Sequence, residues 1–585
     1  MERIPAALLA AGSAADVTGY TRGRGDQGMR RRVAELCRLS ICRLFLFLIV
    51  GILVCSPLAA GAQAAETQSA IAARIGQLAQ RDLTSLQGRQ IAAVDFLAEL
   101  YKSNDFEPLW QEAGNRQALL QAIARSSEDG LTPADFHREA IRELTARSAA
   151  GPLDTQTQAD FDVILSDALA RLGYQLFYGK VNADQLDPDW NFSRPLLKRN
   201  PAEIVLAALR QSTLPRLLAE LRLDHPYYLT LKAALRSHRE IASSGGWSAI
   251  PSGPTLKSGM AGERVAALRH RLAASGDYDA AAISDPQVFD PPLEAAVRHF
   301  QVRHGLESDG VVGKVTLEEL NLPVAARIDQ IRVNMERARW VLRNLDDDFI
   351  VVNIAGFYLN LIRDGELAWH SPVIVGTPYR KTPVFTAPMR YLELNPTWTI
   401  PPTILREDLL PKVTADPGYL AANGFHLVDF QRQPVDAATV DWKSLDGKPF
   451  PYLIVQEPGP RNALGLIKFM LPNDHAVYLH DTPSRGLFKS AARSFSSGCI
   501  RVENPFELAA QLLSEQEDWT PARMAEVIDS KATTRVNLPQ PLPVLLLYWT
   551  VDPDPSGNVR FYRDIYDRDV AVLKALNTDH PDGQS

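Results

Sequence analysis

The hydrophobic pattern of this chain changes period at Phe349, and one domain cannot absorb both halves. Before it, "IAARIGQLAQ", "QALLQAIARSS", "FDVILSDALARLGYQLFYGKV" and "YYLTLKAALRSHREIA" repeat apolar residues three and four apart, the stripe of a helix that buries one face. After it, "FIVVNIAGFYLNLIRDGELAWHSPVIVG" alternates and reads as strand, strand, tight turn at Asp364-Gly365, strand. "MRYLELNPTWTIPPTI" and "ALGLIKFMLPNDHAVYLH" continue as strands. The predicted class is multidomain α+β, with helical units first and a mainly β unit last. A chain of 585 residues has room for three or four such domains.

Composition shifts set the boundaries. Residues 67–242 read as a helical domain, interrupted by turn signals in "EDGLTPADF" and "NADQLDPDWNFSRP". Its histidines, His137, His225 and His238, are scattered, and ordinary core or solvated roles are expected for each. "SSGGWSAIPSGP" (243–254) is a linker. In residues 255–325, Val265, Leu268 and Leu272 mark a first helix, and Leu293, Ala296, Val297 and Phe300 a second. "DGVVGKVTLEEL" is a turn and a third helix, with Asp309-Gly310 and Gly313 making the reversal and Thr316 expected as N-cap. "ARIDQIRVNMERARWVL" supplies a connecting helix (326–348). The β unit covers 349–545, with a long insertion at about 405–445 expected to act as a lid. Residues 546–585 close the chain with a hairpin and a helix through "DVAVLKALN".

The extreme N-terminus (1–66) reads as an export signal. From Met29, a candidate true start, Arg30, Arg31, Arg32, Arg38 and Arg43 precede an apolar run from Leu44 to Cys55, followed by small residues ending "AQA" at Ala64. The run is short of the roughly 20 residues that span a bilayer. Cleavage after Ala64 and retention as an inner-membrane anchor both remain open; a lipoprotein site at Cys55 is disfavoured by the bulky Val54 before it. The expected location is the periplasm. Cys37, Cys42 and Cys55 all lie in this segment, so the exported part carries Cys499 alone, unusual where secreted cysteines are normally paired. A net charge of −7 offers no basic face for a nucleic acid.

Cys499 sits in "HAVYLHDTPSRGLFKSAARSFSSGCIRVENP". His475 and His480 are five apart, so on a continuous strand they face opposite ways, and His480, at the strand end, is the better partner for the thiol. An imidazole can take the thiol proton, and backbone amides can steady the charge. The amides around Ser497, Gly498 and Cys499 are candidates for an oxyanion hole, with Gly498 allowing close approach. Arg501 is long enough to orient a substrate carboxylate. A zinc site from His475, His480 and Cys499 lacks two close ligands on one face, and neither metal nor cofactor is expected.

With His480 nineteen residues before Cys499, the "HDT…SSGCIRV" pattern resembles the catalytic signature of the L,D-transpeptidases of YkuD type. "VVNIAGFYLNL", "VGTPYRKTPVF", "NPTWTIPPTI", "LGLIKFMLPN" and "VYLHDTP" support it. "FQVRHGLESDGVVGKVTLEELN" resembles a peptidoglycan-binding domain, and the combination with a helical scaffold is similar to the large YcbB-like subgroup. Many relatives carry His immediately before the Gly-Cys pair; here that residue is Ser497, which leaves His480 as the evident base. The resemblance implies a helical scaffold domain, a three-helix peptidoglycan-binding domain and a mainly β catalytic domain with a lid insertion. It implies that Cys499 attacks a tetrapeptide stem of peptidoglycan, releases D-alanine and passes the thioester to an amine of a second stem, giving a 3→3 cross-link. His480 would move the protons, with its ring oriented by the backbone carbonyl of Asp481. Tyr478 and Trp398 are candidates to line the donor cleft, with core packing the equal alternative for Trp398, and carbapenems are expected to acylate Cys499. Hydrolysis of the same thioester, a sortase-like reaction and a non-catalytic wall scaffold are the rivals.

Overall fold

The computed structural model describes residues 63–195, 198–279, 285–416, 418–442, 449–554 and 556–578. Residues 1–62 of the expected export segment, with its three cysteines, lie outside the described residues. From Thr67 onward the chain forms one unit. Among the described residues no helix is long and apolar enough to cross a membrane.

The first part is helical, as the periodicity predicts, apart from a two-residue hairpin (Ser85–Leu86 with Arg89–Gln90). Its axis is the helix Thr155–Tyr178, capped by the Asp154 carboxylate and buried along most of its length. That helix carries acidic residues into the core, and each finds partners, as buried carboxylates must. Asp162 accepts from the Tyr101 hydroxyl at 2.8 Å and from the Leu109 and Trp110 amides at 3.0 and 3.1 Å. Asp167 meets His137 at 2.7 Å and Arg171 at 2.6 Å. His225 accepts from the Tyr227 amide at a helix start, and His238 bonds the Ala234 carbonyl. All three scattered histidines are therefore structural.

Three helices follow, Glu263–Ala274, Pro291–Arg303 and Lys314–Leu320, around Val265, Leu268, Leu272, Leu293, Val297 and Phe300. One expectation fails here. The third helix is capped by Gly313, without a side-chain cap, and Thr316 lies inside it, where it takes a hydrogen bond from Gln301 at 3.2 Å. The left-handed turn at Gly310 (φ 72°) completes the reversal early enough for the helix to begin at Lys314. The helix Val324–Val341 then leads to the β unit.

A nine-stranded sheet builds the last part. Asp364 and Gly365 both have positive φ (52° and 76°), which suits the tight hairpin turn read from the sequence. In spatial order the strands are Ser494–Ser496, Glu366–Gly376, Ile500–Val502, Leu479–His480, Ile467–Met470, Phe385–Leu394, Thr534–Leu547, Phe349–Asn353 and Tyr358–Arg363. The long strand Glu366–Gly376 pairs with Tyr358–Arg363 along its first part and with Ile500–Val502 and Ser494–Ser496 near its end. The sheet thereby closes on itself like a small barrel. Alternate residues fill the interior: Leu392, Leu394, Ile467, Phe469, Leu479, Ile500 and Val502 are all buried in one core.

The insertion is wider than the expected 405–445. It forms its own four-stranded sheet, Trp398–Thr399, Leu453–Gln456, Phe425–Val428 and Pro434–Val435 in spatial order. Its own core contains Ile400, Leu405, Leu409, Val413, Leu427 and Ile454. Trp398–Thr399, at the end of a stretch that reads as strand in the sequence, pairs with Leu453–Gln456, which the sequence reading left unassigned, so the folded insertion extends from Trp398 to Gln456.

The run "HAVYLH" is also mostly not strand; only Leu479–His480 pairs. The Asn473 side chain ties a turn instead, accepting from the His475 amide at 3.0 Å and donating to the Val477 carbonyl at 2.7 Å, and Ala476 has φ 54°. His475 reaches toward Asp189 (3.6 Å) and packs on Phe385 (ring centroids 4.7 Å).

Candidate active site

Three short neighbouring strands set the site. Leu479 and His480 run parallel to Ile500 and Arg501 and pair with them in that register, and Lys468 is opposite His480 on the other side. The Ile500 amide donates to the Tyr478 carbonyl at 3.1 Å, which brings Cys499 alongside Tyr478. Residues paired in register share a face. Leu479 and Ile500 point into the core, so Tyr478, His480, Cys499 and Arg501 share the opposite, outer face. The same row continues through Lys468 and Glu393 to Arg535.

Cys499 is half-buried, the one free cysteine among the described residues. Burial raises its thiol pKa; Tyr478 hydrogen bonds, Lys468 and Arg501 oppose that rise without cancelling it. The thiol donates to the Ala476 carbonyl, with sulfur and oxygen 3.7 Å apart. His480 is buried, and its Nδ1 is 2.5 Å from the Asp481 carbonyl. A carbonyl only accepts, so Nδ1 carries the proton and Nε2 keeps its lone pair. The Leu464 carbonyl also faces the ring, yet burial, followed by the cations Arg501 and Lys468, pulls the imidazole pKa from 6.5 to about 3. At neutral pH the pair is a thiol and a neutral imidazole. Tyr478 packs edge-on against His480 (5.7 Å between ring centroids), and its hydroxyl faces both the Cys499 sulfur and the Trp398 indole. Arg501 has a buried Nε without a hydrogen-bond partner.

Residues 347–536 match the family model of the L,D-transpeptidase catalytic domain. The closed sheet is an L,D-transpeptidase domain. Residues 261–320 match the model described as "Putative peptidoglycan binding domain", and residues 95–235 that described as "Scaffold domain". A Haemophilus influenzae protein named "Putative L,D-transpeptidase" is 43% identical over 231 residues, covering 39% of this chain and 46% of its own length. The chain thus matches about half the length of that curated relative. An L,D-transpeptidase from Mycobacterium smegmatis overlays with 15% identity, 34% of this chain, 58% of its own and a TM-score of 0.17. One from Xylanimonas cellulosilytica gives 16%, 51%, 99% and 0.15. Scores this low carry no weight for the fold, which rests on the family match and the sheet itself.

Within the L,D-transpeptidase domain, one sequence expectation needs correcting. The Gly498 amide, a candidate oxyanion donor, is committed to the Ser496 hydroxyl at 3.1 Å. The Ser496 hydroxyl in turn donates to the Cys499 carbonyl at 2.5 Å, closing a tight turn that takes Gly498 to φ 117°. The Gly498 carbonyl accepts from Thr382 at 2.8 Å; Thr382 also accepts from the Gly376 amide at 2.9 Å. The Tyr566 hydroxyl donates to the Gly376 carbonyl at 2.6 Å. Ser496, Thr382 and Tyr566 were not singled out by sequence reasoning; Ser496 and Thr382 carried a signal only as parts of "SFSSGC" and "VGTPYRKTPVF".

Ser497 is exposed and accepts from Arg380 at 2.9 Å. Arg380 also grips the lid, reaching Glu407 at 2.6 Å and Asp408 at 2.5 Å. One guanidinium thus joins the lid to the cysteine loop, and the two carboxylates raise its pKa further. Arg380→Ala is expected to speed amide exchange over 402–415 about tenfold, the equivalent of ~1.4 kcal/mol of charge-assisted bonding after discounting for partial exposure. Hydrogen-exchange mass spectrometry checks this; unchanged exchange there means the lid is held by its apolar contacts.

Proposed function

We propose that this protein is an exported cysteine-dependent L,D-transpeptidase that makes 3→3 peptidoglycan cross-links. The observation that carries the reading is the single outer face shared by Cys499, Tyr478, His480 and Arg501, with the Nδ1 proton of His480 held by the Asp481 carbonyl. In the donor step, the thiol turns from the Ala476 carbonyl and its proton passes to Nε2 of His480 as sulfur adds to the carbonyl between the third, diamino residue and D-alanine. The Ser497 and Cys499 amides are the proposed oxyanion donors. The carbon–nitrogen bond breaks, the proton on His480 goes to the leaving D-alanine amine, and a thioester remains. The side-chain amine of a second stem then attacks; His480 takes its proton and returns one to the sulfur as the amide forms.

Arg501, with its unpartnered Nε, orients a substrate carboxylate, and Tyr478 and Trp398 line the donor side. The folded insertion, tied to the cysteine loop through Arg380, supports transfer over hydrolysis if it closes as a lid and limits water. The peptidoglycan-binding module would hold the enzyme on its polymer, which places the work outside the cytoplasm, with or without an uncleaved N-terminal anchor.

The test is intact mass after incubation with a carbapenem, together with product analysis on tetrapeptide stems. Wild type should gain one covalent adduct with the carbapenem and, on tetrapeptide stems, release free D-alanine and form 3→3 dimers. Cys499→Ala should do neither, a loss of at least about 10³-fold in turnover. An adduct on Cys499→Ala overturns the nucleophile assignment. Tripeptide without dimer makes the protein an L,D-carboxypeptidase.

A further inference from the structure

The outer row that carries His480 contains a lysine to which the reaction above gives no part. Lys468 is on Ile467–Met470, directly opposite His480 in register. Its neighbours Ile467 and Phe469 are buried in the core, so Lys468 itself points to the reactive face. A solvated surface lysine would stretch into water. This one folds over the Tyr478 ring instead, with Nζ 4.2 Å from the ring centroid, the geometry of a cation–π contact. The hydroxyl of that same ring faces the Cys499 sulfur.

We infer that Lys468 is a positioning residue for the transfer: its ammonium clamps the Tyr478 ring beside Cys499 and supplies positive charge that steadies the sulfur as the thiol proton leaves for His480. The inference rests on the function proposed above. No extra reagent is needed: the S–H bond breaks, the proton goes to Nε2, and the electron pair stays on sulfur in the field of Lys468 and Arg501. The groups facing Lys468 are Glu393 from Phe385–Leu394, Tyr478 and His480 from the histidine strand, and Cys499 and Arg501 from the cysteine strand; Arg535 is beyond Glu393. Burial lowers the Lys468 pKa, while Glu393 and then Cys499 pull it back up. The electrostatic coupling between lysine and sulfur appears reciprocally at Cys499. The positive charge works on both partners, making the thiol easier to ionise and keeping the imidazole free of a proton, as a resting base must be.

The experiment is the pH profile of iodoacetamide alkylation at Cys499, read on its own peptide by mass spectrometry in the full-length protein. Lys468→Met keeps the length and removes the charge. Its profile should move to higher pH, with alkylation three- to tenfold slower at pH 8. Lys468→Arg should restore most of the rate. Glu393→Gln, which leaves the lysine less compensated, should move the profile the other way, and it decides the matter if Lys468→Met does not fold. A wild-type profile in folded Lys468→Met, or in Glu393→Gln when it stands in, overturns the inference. Alkylation needs no peptidoglycan, so a shifted profile in an enzyme that forms no cross-links would sink the proposed function and leave the lysine's role standing.

Discussion

His480→Ala should slow carbapenem acylation by about 10² to 10⁴-fold, the range a positioned general base contributes. The shape of the pH dependence distinguishes this from a structural loss. In the wild type the imidazole titrates near 3 and the thiol above its ordinary range. The reactive pair is therefore neutral on both sides, and acylation should be nearly flat from about pH 4 to pH 8. Without the imidazole, only free thiolate reacts, and the rate should climb about tenfold per pH unit until the thiol ionises. A flat profile in His480→Ala means the base is elsewhere. The same shift has a stability consequence. Its direction is a depressed histidine pKa, so below about pH 6.5 the unfolded chain takes up a proton that the folded chain refuses until pH approaches 3. Stability falls through that window as pH drops, and His480→Gln should soften the fall, visible as a smaller loss of melting temperature between pH 7 and pH 4.

Gly376→Ala is expected to cost about 3 kcal/mol, the upper part of the usual overpacking range, and to lower the melting temperature by about 6–12 °C. A Cβ at Gly376 would stand 2.1 Å from the Arg380 carbonyl oxygen and 2.8 Å from the Thr382 nitrogen. Both are backbone atoms, so no rotamer change relieves the clash. The loop that must yield carries Thr382, which holds the Gly498 carbonyl, and Arg380, which holds the lid. Acylation should therefore fall with stability. Gly486→Ala is the control: nothing lies within 4 Å of its new methyl group, and its effect should stay within about 0.5 kcal/mol. Equal melting temperatures for the two variants would mean the Gly376 loop has a second, equally good path.

Much of this was legible from one-dimensional pattern. Alternation at Ile467 and Phe469, against Lys468, states which side faces the core, and the six residues around Cys499 carry their chemistry in their types. The lysine itself was overlooked because a single polar residue between two apolar ones is what any half-buried strand shows; only register brings it opposite His480. The turn at His475 was hidden by β-favouring neighbours, since a local Asn473 side-chain bond competes with strand pairing. Commitment of the Gly498 amide to Ser496 depends on one hydroxyl rotamer. The lid's breadth depends on a pairing between Trp398–Thr399 and Leu453–Gln456 across more than fifty residues, which no window along the chain can contain.

Closing of the sheet through Glu366–Gly376 has a further bearing on what this domain can recognise. A hydrogen-bonded ring presents no rim of open amides for a foreign chain to extend, and among the described residues of the nine-stranded sheet only Ser494–Ser496 stands outside the ring. The lateral face, by contrast, carries the guanidinium of Arg501, the ammonium of Lys468 and the phenol of Tyr478, with the Trp398 indole beside that phenol.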